Sequence, residues 1–267
     1  MEAGRYRLIL SYRGDAYAGW QRQLNAVAVQ QRLEEALAAL LGRETRVVGA
    51  GRTDAGVHAR AQAAHFDSVR VPSLRSLVFG VNHHLPQDIR VLAAARMGSG
   101  FDARRSASGK LYVYRMVPTR ILSPLDAVDA VRVRGDLDLP AMRRALEELP
   151  GRHDFTAFAL SGGAHRDPYR RIEAAELIES AGAGGRRLEL RVAGDGFLRG
   201  MVRSLAGTLL EVGAGRRSAA DFAALLAGAP RSSAGPTAPA AGLTLERVEY
   251  PSLWRPVEDL DTRVAGD

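Results

Sequence analysis

The amino-acid sequence predicts a mixed α/β (α+β) fold in two halves, built on antiparallel sheets. Three observations predict it. Before Gly98 the periodic segments run β-α-β-β-α-β, a split unit that closes as an antiparallel sheet with helices on one face. The run Met97-Gly98-Ser99-Gly100 is the best linker candidate, dividing the chain into domains of residues 1–98 and 99–267. Beyond it, strands and helices alternate again into a second α/β half. The two sheets are expected to flank one basic central cleft.

Residues 6–12 read as a strand and 14–20 as a glycine-punctuated loop. Val29, Leu33, Leu37 and Leu40 fall at helical spacing and predict a helix ending near Leu41. Residues 46–50 form a short strand. Residues 58–67 alternate Ala59, Ala61 and Ala63 with His58, Arg60 and Gln62, the pattern of a half-buried strand with a polar face. Ser73 caps a second helix to about Phe79, His83 and His84 lie in a solvated loop, and 88–95 is a strand.

In the second half, Lys110, Tyr112, Tyr114 and Met116 alternate with Leu111, Val113, Arg115 and Val117. Asp138 caps a helix with Pro140 in its first turn. Residues 171–178 and 187–192 pair around Gly182-Ala183-Gly184-Gly185. Leu198, Val202, Leu205, Leu209 and Val212 mark the longest amphipathic helix, with Arg199 one turn before Arg203 on the same side. A short helix at 218–226 and a strand at 243–250 follow. Residues 228–241, rich in Ala, Gly, Pro and Ser, are expected to be a mobile loop. No role is assigned to 252–267.

A net charge of +7 and a pI near 10.3 point to a polyanionic partner, nucleic acid before a membrane surface. The charge is almost all arginine, with Lys110 the one lysine. Arginine suits bidentate phosphate contacts and base stacking. The absence of cysteine excludes disulfides, thiolate metal sites and cysteine nucleophiles. The six histidines show no metal-like spacing. No apolar run approaches membrane-spanning length, and the first residues lack a secretory pattern, so a cytoplasmic protein without a small-molecule cofactor is expected.

The stretch that organises the chain is Gly51-Arg52-Thr53-Asp54-Ala55-Gly56-Val57-His58. It sets Asp54 in a glycine-flanked turn between two strands, with Arg52 two residues before it. A neighbouring guanidinium favours the ionised form of a carboxylate, which leaves a nucleophile or base ready to act. Alone, the same residues would more readily serve as a hairpin turn that only supplies turn geometry. Together with Ala59, the stretch resembles the signature of the TruA-type tRNA pseudouridine synthases.

Further segments extend the resemblance over most of the chain. Phe101 to Tyr114 is similar to the family segment carrying its active-site tyrosine, which puts Tyr112 in that position. Leu111 replaces a residue that is often basic there, and Arg105 stands where an aromatic is expected. Gly196-Phe197-Leu198-Arg199-Gly200-Met201-Val202-Arg203 is similar to the family's Met-Val-Arg motif, whose arginine pairs with the catalytic aspartate. Gly19 to Gln23, Gly151 to Phe158 and Ala238 to Leu243 also match, with Ala240 in place of a second proline.

The resemblance implies two ferredoxin-like α/β domains, a homodimer, and isomerisation of uridine to pseudouridine at positions 38, 39 and 40 of the tRNA anticodon stem-loop. It implies Asp54 as nucleophile or base, Tyr112 as proton handler and stacking partner, and Arg203 as charge partner. Arg52 is the candidate to occupy the vacated base stack or hold the flipped phosphate. Leu245 is a candidate wall of the pocket, and His58 and Arg199 are further substrate-binding candidates. The chemistry requires neither a redox cofactor nor a metal. Two other classes remain: an RNA-binding module, which would tolerate loss of Asp54, and a glycosidase, which would normally need a second carboxylate.

Overall fold

The computed structural model describes residues 3–71, 73–163 and 167–262. In chain order the elements are β1 (Gly4–Tyr12), α1 (Val29–Leu41), β2 (Val48–Gly49), β3 (His58–Ser68), α2 (Leu74–His84) and β4 (Ile89–Met97). They continue with β5 (Gly109–Pro118), β6 (Val131–Val133), α3 (Leu139–Glu147), β7 (Gly151–Asp154), β8 (Tyr169–Gly182) and β9 (Gly185–Gly194). Last come α4 (Met201–Gly213), α5 (Ala219–Ala224), β10 (Leu243–Glu249) and β11 (Glu258–Asp261). The chain packs as two units, Met1–Ser108 with Leu245–Asp267, and Gly109–Thr244. Among the described residues no helix is long and apolar enough to cross a membrane.

The first unit realises the β-α-β-β-α-β order. β4, β1 and β3 are neighbours, β2 pairs with β3, and these pairings are antiparallel. Leu8, wholly buried, pairs with Ala64 on one side and Ala94 on the other, so small residues flank a large one at the sheet centre. α1 turns Val29, Leu33 and Leu37 inward, ends at Gly42 in the left-handed region, and packs on α2. A Cβ on Gly80 would come 2.6 Å from a Leu40 methyl, so glycine lets the helices approach here.

Several elements differ from the sequence expectation. Helix α2 does not stop at Phe79 but runs through Gly80 to His84, placing His83 and His84 in its exposed last turn. It ends where Leu85 precedes Pro86 and takes an extended conformation, because proline crowds a preceding helical residue. Strand β3 has no polar outer face: Gln62 is fully buried and His58 nearly so, while Arg60 is exposed. The stretch after Gly98 packs into the first unit, where Phe101 is fully buried against Tyr250 and Trp254. The tail adds β11, antiparallel to β4, with Glu258 opposite Arg96.

The second unit orders its main strands β5-β9-β8-β7, all antiparallel, with β6 parallel to β5. The predicted hairpin closes tightly, Gly182 opposite Gly185. Asp138 caps α3 as expected, and Ser218 forms a capping box with Asp221 on α5. Residues 228–241 are not a free loop. They lie on α4, and a Cβ on Gly207 would come 1.7 Å from the Pro236 carbonyl oxygen. The Gly235 N–H donates to Thr208 Oγ1 at 3.0 Å, and Arg231 reaches Thr237 at 2.9 Å. Small residues, read as a sign of mobility, are what allow this close approach.

Candidate active site

In the first unit, Asp54 stands half-buried in the turn between β2 and β3, with Arg52 exposed beside it. The turn is anchored at successive residues. Gly51 O accepts from Gln62 Nε2 at 3.0 Å, Thr53 Oγ1 shares a hydrogen bond with the Tyr12 hydroxyl at 2.9 Å, and Thr53 O accepts from the Trp20 N–H at 3.1 Å. Asp54 O accepts from Val57 N at 3.1 Å, and Gly56 takes a φ of +77° that suits glycine.

The Gly14 to Trp20 loop closes over this turn. Gly19 has φ +92°, and a Cβ there would come 2.5 Å from Thr53 O. His58 is buried, and its Nδ1 accepts from the Gly14 N–H at 3.1 Å, tying the loop to the start of β3. Trp20 is buried beneath Gly49, whose added Cβ would meet the indole at 2.5 Å. The loop is held from below by α1. Glu34, almost fully buried, accepts from Val47 N at 3.1 Å and Arg22 Nη1 at 2.9 Å, while Gln30 Oε1 accepts from Arg22 N and Gln21 Nε2. Leu245, also in this unit, is wholly buried.

In the second unit, Tyr112 lies on β5 opposite Val192, its ring edge-on to Phe197 at 5.0 Å between centroids. Two residues on, Tyr114 donates its hydroxyl to Pro239 O at 2.9 Å. Burial pushes the Tyr114 hydroxyl well above the usual phenol range, and the positive charge of Arg203 partly opposes this. Arg203 projects from the first turn of α4, where its Nε donates to Ala238 O at 2.9 Å while its own carbonyl accepts from Ala238 N at 3.1 Å.

Arg199 departs from expectation. The helix begins only at Met201, after Gly200 in a left-handed conformation at φ +68°. Arg199 is therefore not one helical turn before Arg203 but sits in the preceding turn, exposed, with Nη1 donating to Ser161 O at 2.9 Å. A Cβ on Gly200 would meet Leu160 at 2.4 Å, which explains why glycine stands at this break. Apolar periodicity ran through Leu198 because that side chain is buried whether or not it is helical.

Sequence reasoning placed Arg52 and Asp54 in the turn and His58 at the start of the strand after it, and that is where they stand. It missed Tyr12, Gln62 and Gln30, whose polar atoms brace that turn and its covering loop. A polar residue at a strand position otherwise surrounded by alanine, as in Ala61-Gln62-Ala63, was the signal available for Gln62.

A family model described as tRNA pseudouridine synthase matches residues 145–251, which include Arg199, Arg203 and Leu245. The tRNA pseudouridine synthase A of Myxococcus xanthus is 45% identical over 246 residues, 92% of this chain and 92% of that protein. That of Syntrophotalea carbinolica is 46% identical over 244 residues, 91% of this chain and 95% of that protein. That of a Geobacter species is 45% identical over 246 residues, covering 92% and 98%. With such identity along nearly its whole length, the chain belongs to the tRNA pseudouridine synthase A family.

Proposed function

We propose that this chain isomerises uridine to pseudouridine at positions 38, 39 and 40 of the tRNA anticodon stem-loop, in the cytoplasm and as a homodimer, with Asp54 as the reacting carboxylate. The observation that carries the assignment of Asp54 is its turn: a carboxylate that directly follows residues whose backbone is anchored at Gly51 and Thr53 is held in place before substrate arrives.

The reaction breaks the bond from the sugar carbon to ring N1, forms one from that carbon to ring C5, removes the C5 proton and protonates N1. Nothing is gained or lost, so no redox partner is required. Asp54 acts on the sugar, on the ring, or on a sugar proton, and each route starts from the ionised carboxylate. Tyr112 stacks on the base and handles the proton from the ring carbon, and Arg203 serves as the charge partner of the carboxylate. A uridine in a stem must first be flipped out, at about a few kcal/mol. Arg52, exposed beside Asp54, fills the vacated stack or takes the displaced phosphate. His58 and Leu245 shape the pocket wall, and Arg199 adds a phosphate contact from its turn.

Asp54→Asn is the deciding experiment. It keeps the size of the side chain and removes its charge. Pseudouridine yield from unmodified tRNA should fall by at least about four orders of magnitude, as for deletion of an acting nucleophile. Thermal midpoint and tRNA affinity should persist. Retained turnover in the folded variant would refute the role of Asp54, and release of free uracil by the wild type would point to a hydrolase instead.

A further inference from the structure

Two buried polar side chains on neighbouring strands direct their hydrogen bonds to the Asp54 turn. Tyr12 is the last residue of β1, and the register of β1 on β3 shifts between Leu10 and Tyr12. Such a bulge re-aims a side chain, and the Tyr12 hydroxyl reaches Thr53 Oγ1 at 2.9 Å. Gln62, with no exposed surface, donates from Nε2 to Gly51 O at 3.0 Å. The two contacts bracket Arg52 and end at the residue before Asp54.

Neither group is suited to proton transfer. Burial pushes the Tyr12 hydroxyl up to about 12, despite hydrogen bonds with Thr53 and Gln62 that lower it. The phenol therefore stays protonated through the neutral range, and a carboxamide does not titrate there. Phenylalanine and leucine would fill the same volume without burying polar atoms that need partners. What the polar atoms add is direction: Gln62 fixes the backbone at Gly51, and Tyr12 fixes the Thr53 side chain.

We propose that Tyr12 and Gln62 are positioning residues of the isomerisation, setting through Gly51 and Thr53 where the Asp54 carboxylate stands. The inference rests on the reading of Asp54 as the reacting group. It places the origin of the site's accuracy in the sheet beneath the turn. A displacement of about 1 Å at a reacting group can cost on the order of a hundredfold in rate.

The test measures kcat and KM on unmodified tRNA for Tyr12→Phe, Gln62→Leu, Thr53→Val and Thr53→Ser. For the first three, kcat should fall by about tenfold or more, within the range misplacement produces, while KM stays near the wild-type value. Thr53→Ser, which keeps the hydroxyl, should restore most of kcat. Tyr12→Phe combined with Thr53→Val should lose less than the product of the two single losses, because both remove the Tyr12–Thr53 contact. Leu37→Ala, a core change in the same unit, serves as control: it should lower the thermal midpoint and leave kcat intact below that midpoint.

Wild-type kcat in Tyr12→Phe, or an equal kcat loss in Leu37→Ala, would overturn the proposal. Should Tyr12→Phe fail to fold, the Thr53 Val and Ser pair decides, since equal kcat in the two would also overturn it. An inert Asp54→Asn beside a full-speed Tyr12→Phe removes the brace alone, whereas an active Asp54→Asn removes the role of Asp54 and the brace with it.

Discussion

Gly19 carries a φ of +92°, and an added Cβ would lie 2.5 Å from Thr53 O and 3.0 Å from the Asp54 carbonyl carbon. Both backbone conformation and space therefore demand glycine, at a point directly over the candidate catalytic turn. Gly19→Ala should cost on the order of 1–3 kcal/mol from strain, with a thermal midpoint lower by roughly 2–4 °C per kcal/mol at this chain length. Turnover should fall by more than stability explains, because the clash pushes on the residues that hold Asp54. Differential scanning calorimetry and initial rates on one preparation check this; an unchanged rate would mean the turn tolerates displacement.

At the scale of elements, β3 and the segment after β4 meet through His65. Its Nδ1 accepts from the Ala103 N–H at 3.0 Å, and its ring is edge-on to Phe101. Burial lowers the affinity of His65 for a proton, the Arg5 cation lowers it further, and Asp102 and Asp67 oppose. A folded value below the unfolded one of about 6.5 means the unfolded chain takes up more protons in between. Stability from His65 is thus fully present above about pH 6.5 and is lost as pH falls through the folded value. The midpoint should decline from pH 7.5 toward 5.5, and His65→Gln, which still presents an acceptor, should remove that slope. Equal slopes in the two proteins would exclude His65 as the cause. Helix α4 and residues 228–241 make a second such contact. With Pro236 O only 1.7 Å from where a Cβ would stand, Gly207→Ala should cost about 1–3 kcal/mol or more by overpacking. Limited proteolysis should then cut within 228–241, where the wild type should resist.

At the scale of the whole molecule, charge is the property that matters most. A net charge of +7 carried almost wholly by arginine should make tRNA binding strongly salt-dependent. With about six phosphates neutralised, affinity should fall on the order of a thousandfold between about 50 and 200 mM salt. Filter binding across that range measures the slope, and a flat response would separate the charge from RNA recognition.

Local preference determined much of this protein. Apolar periodicity located β1, α1, β3, β8, β9 and α4, and capping residues located the starts of α2 and α3. The glycine-flanked Asp54 turn was legible because turn chemistry is written in adjacent residues. Only the tertiary structure decided which polar residues are buried and what braces the turn. Tyr12 and Thr53 are separated by 41 positions, Gly51 and Gln62 by 11, and Phe101 meets Trp254 from the far end of the chain. Contacts of that kind leave no period in the sequence. The same reason explains α2 running through Gly80, residues 228–241 lying fixed on α4, and the tail adding a strand. In each case packing against a distant partner outweighed a local propensity of about one kcal/mol or less per residue.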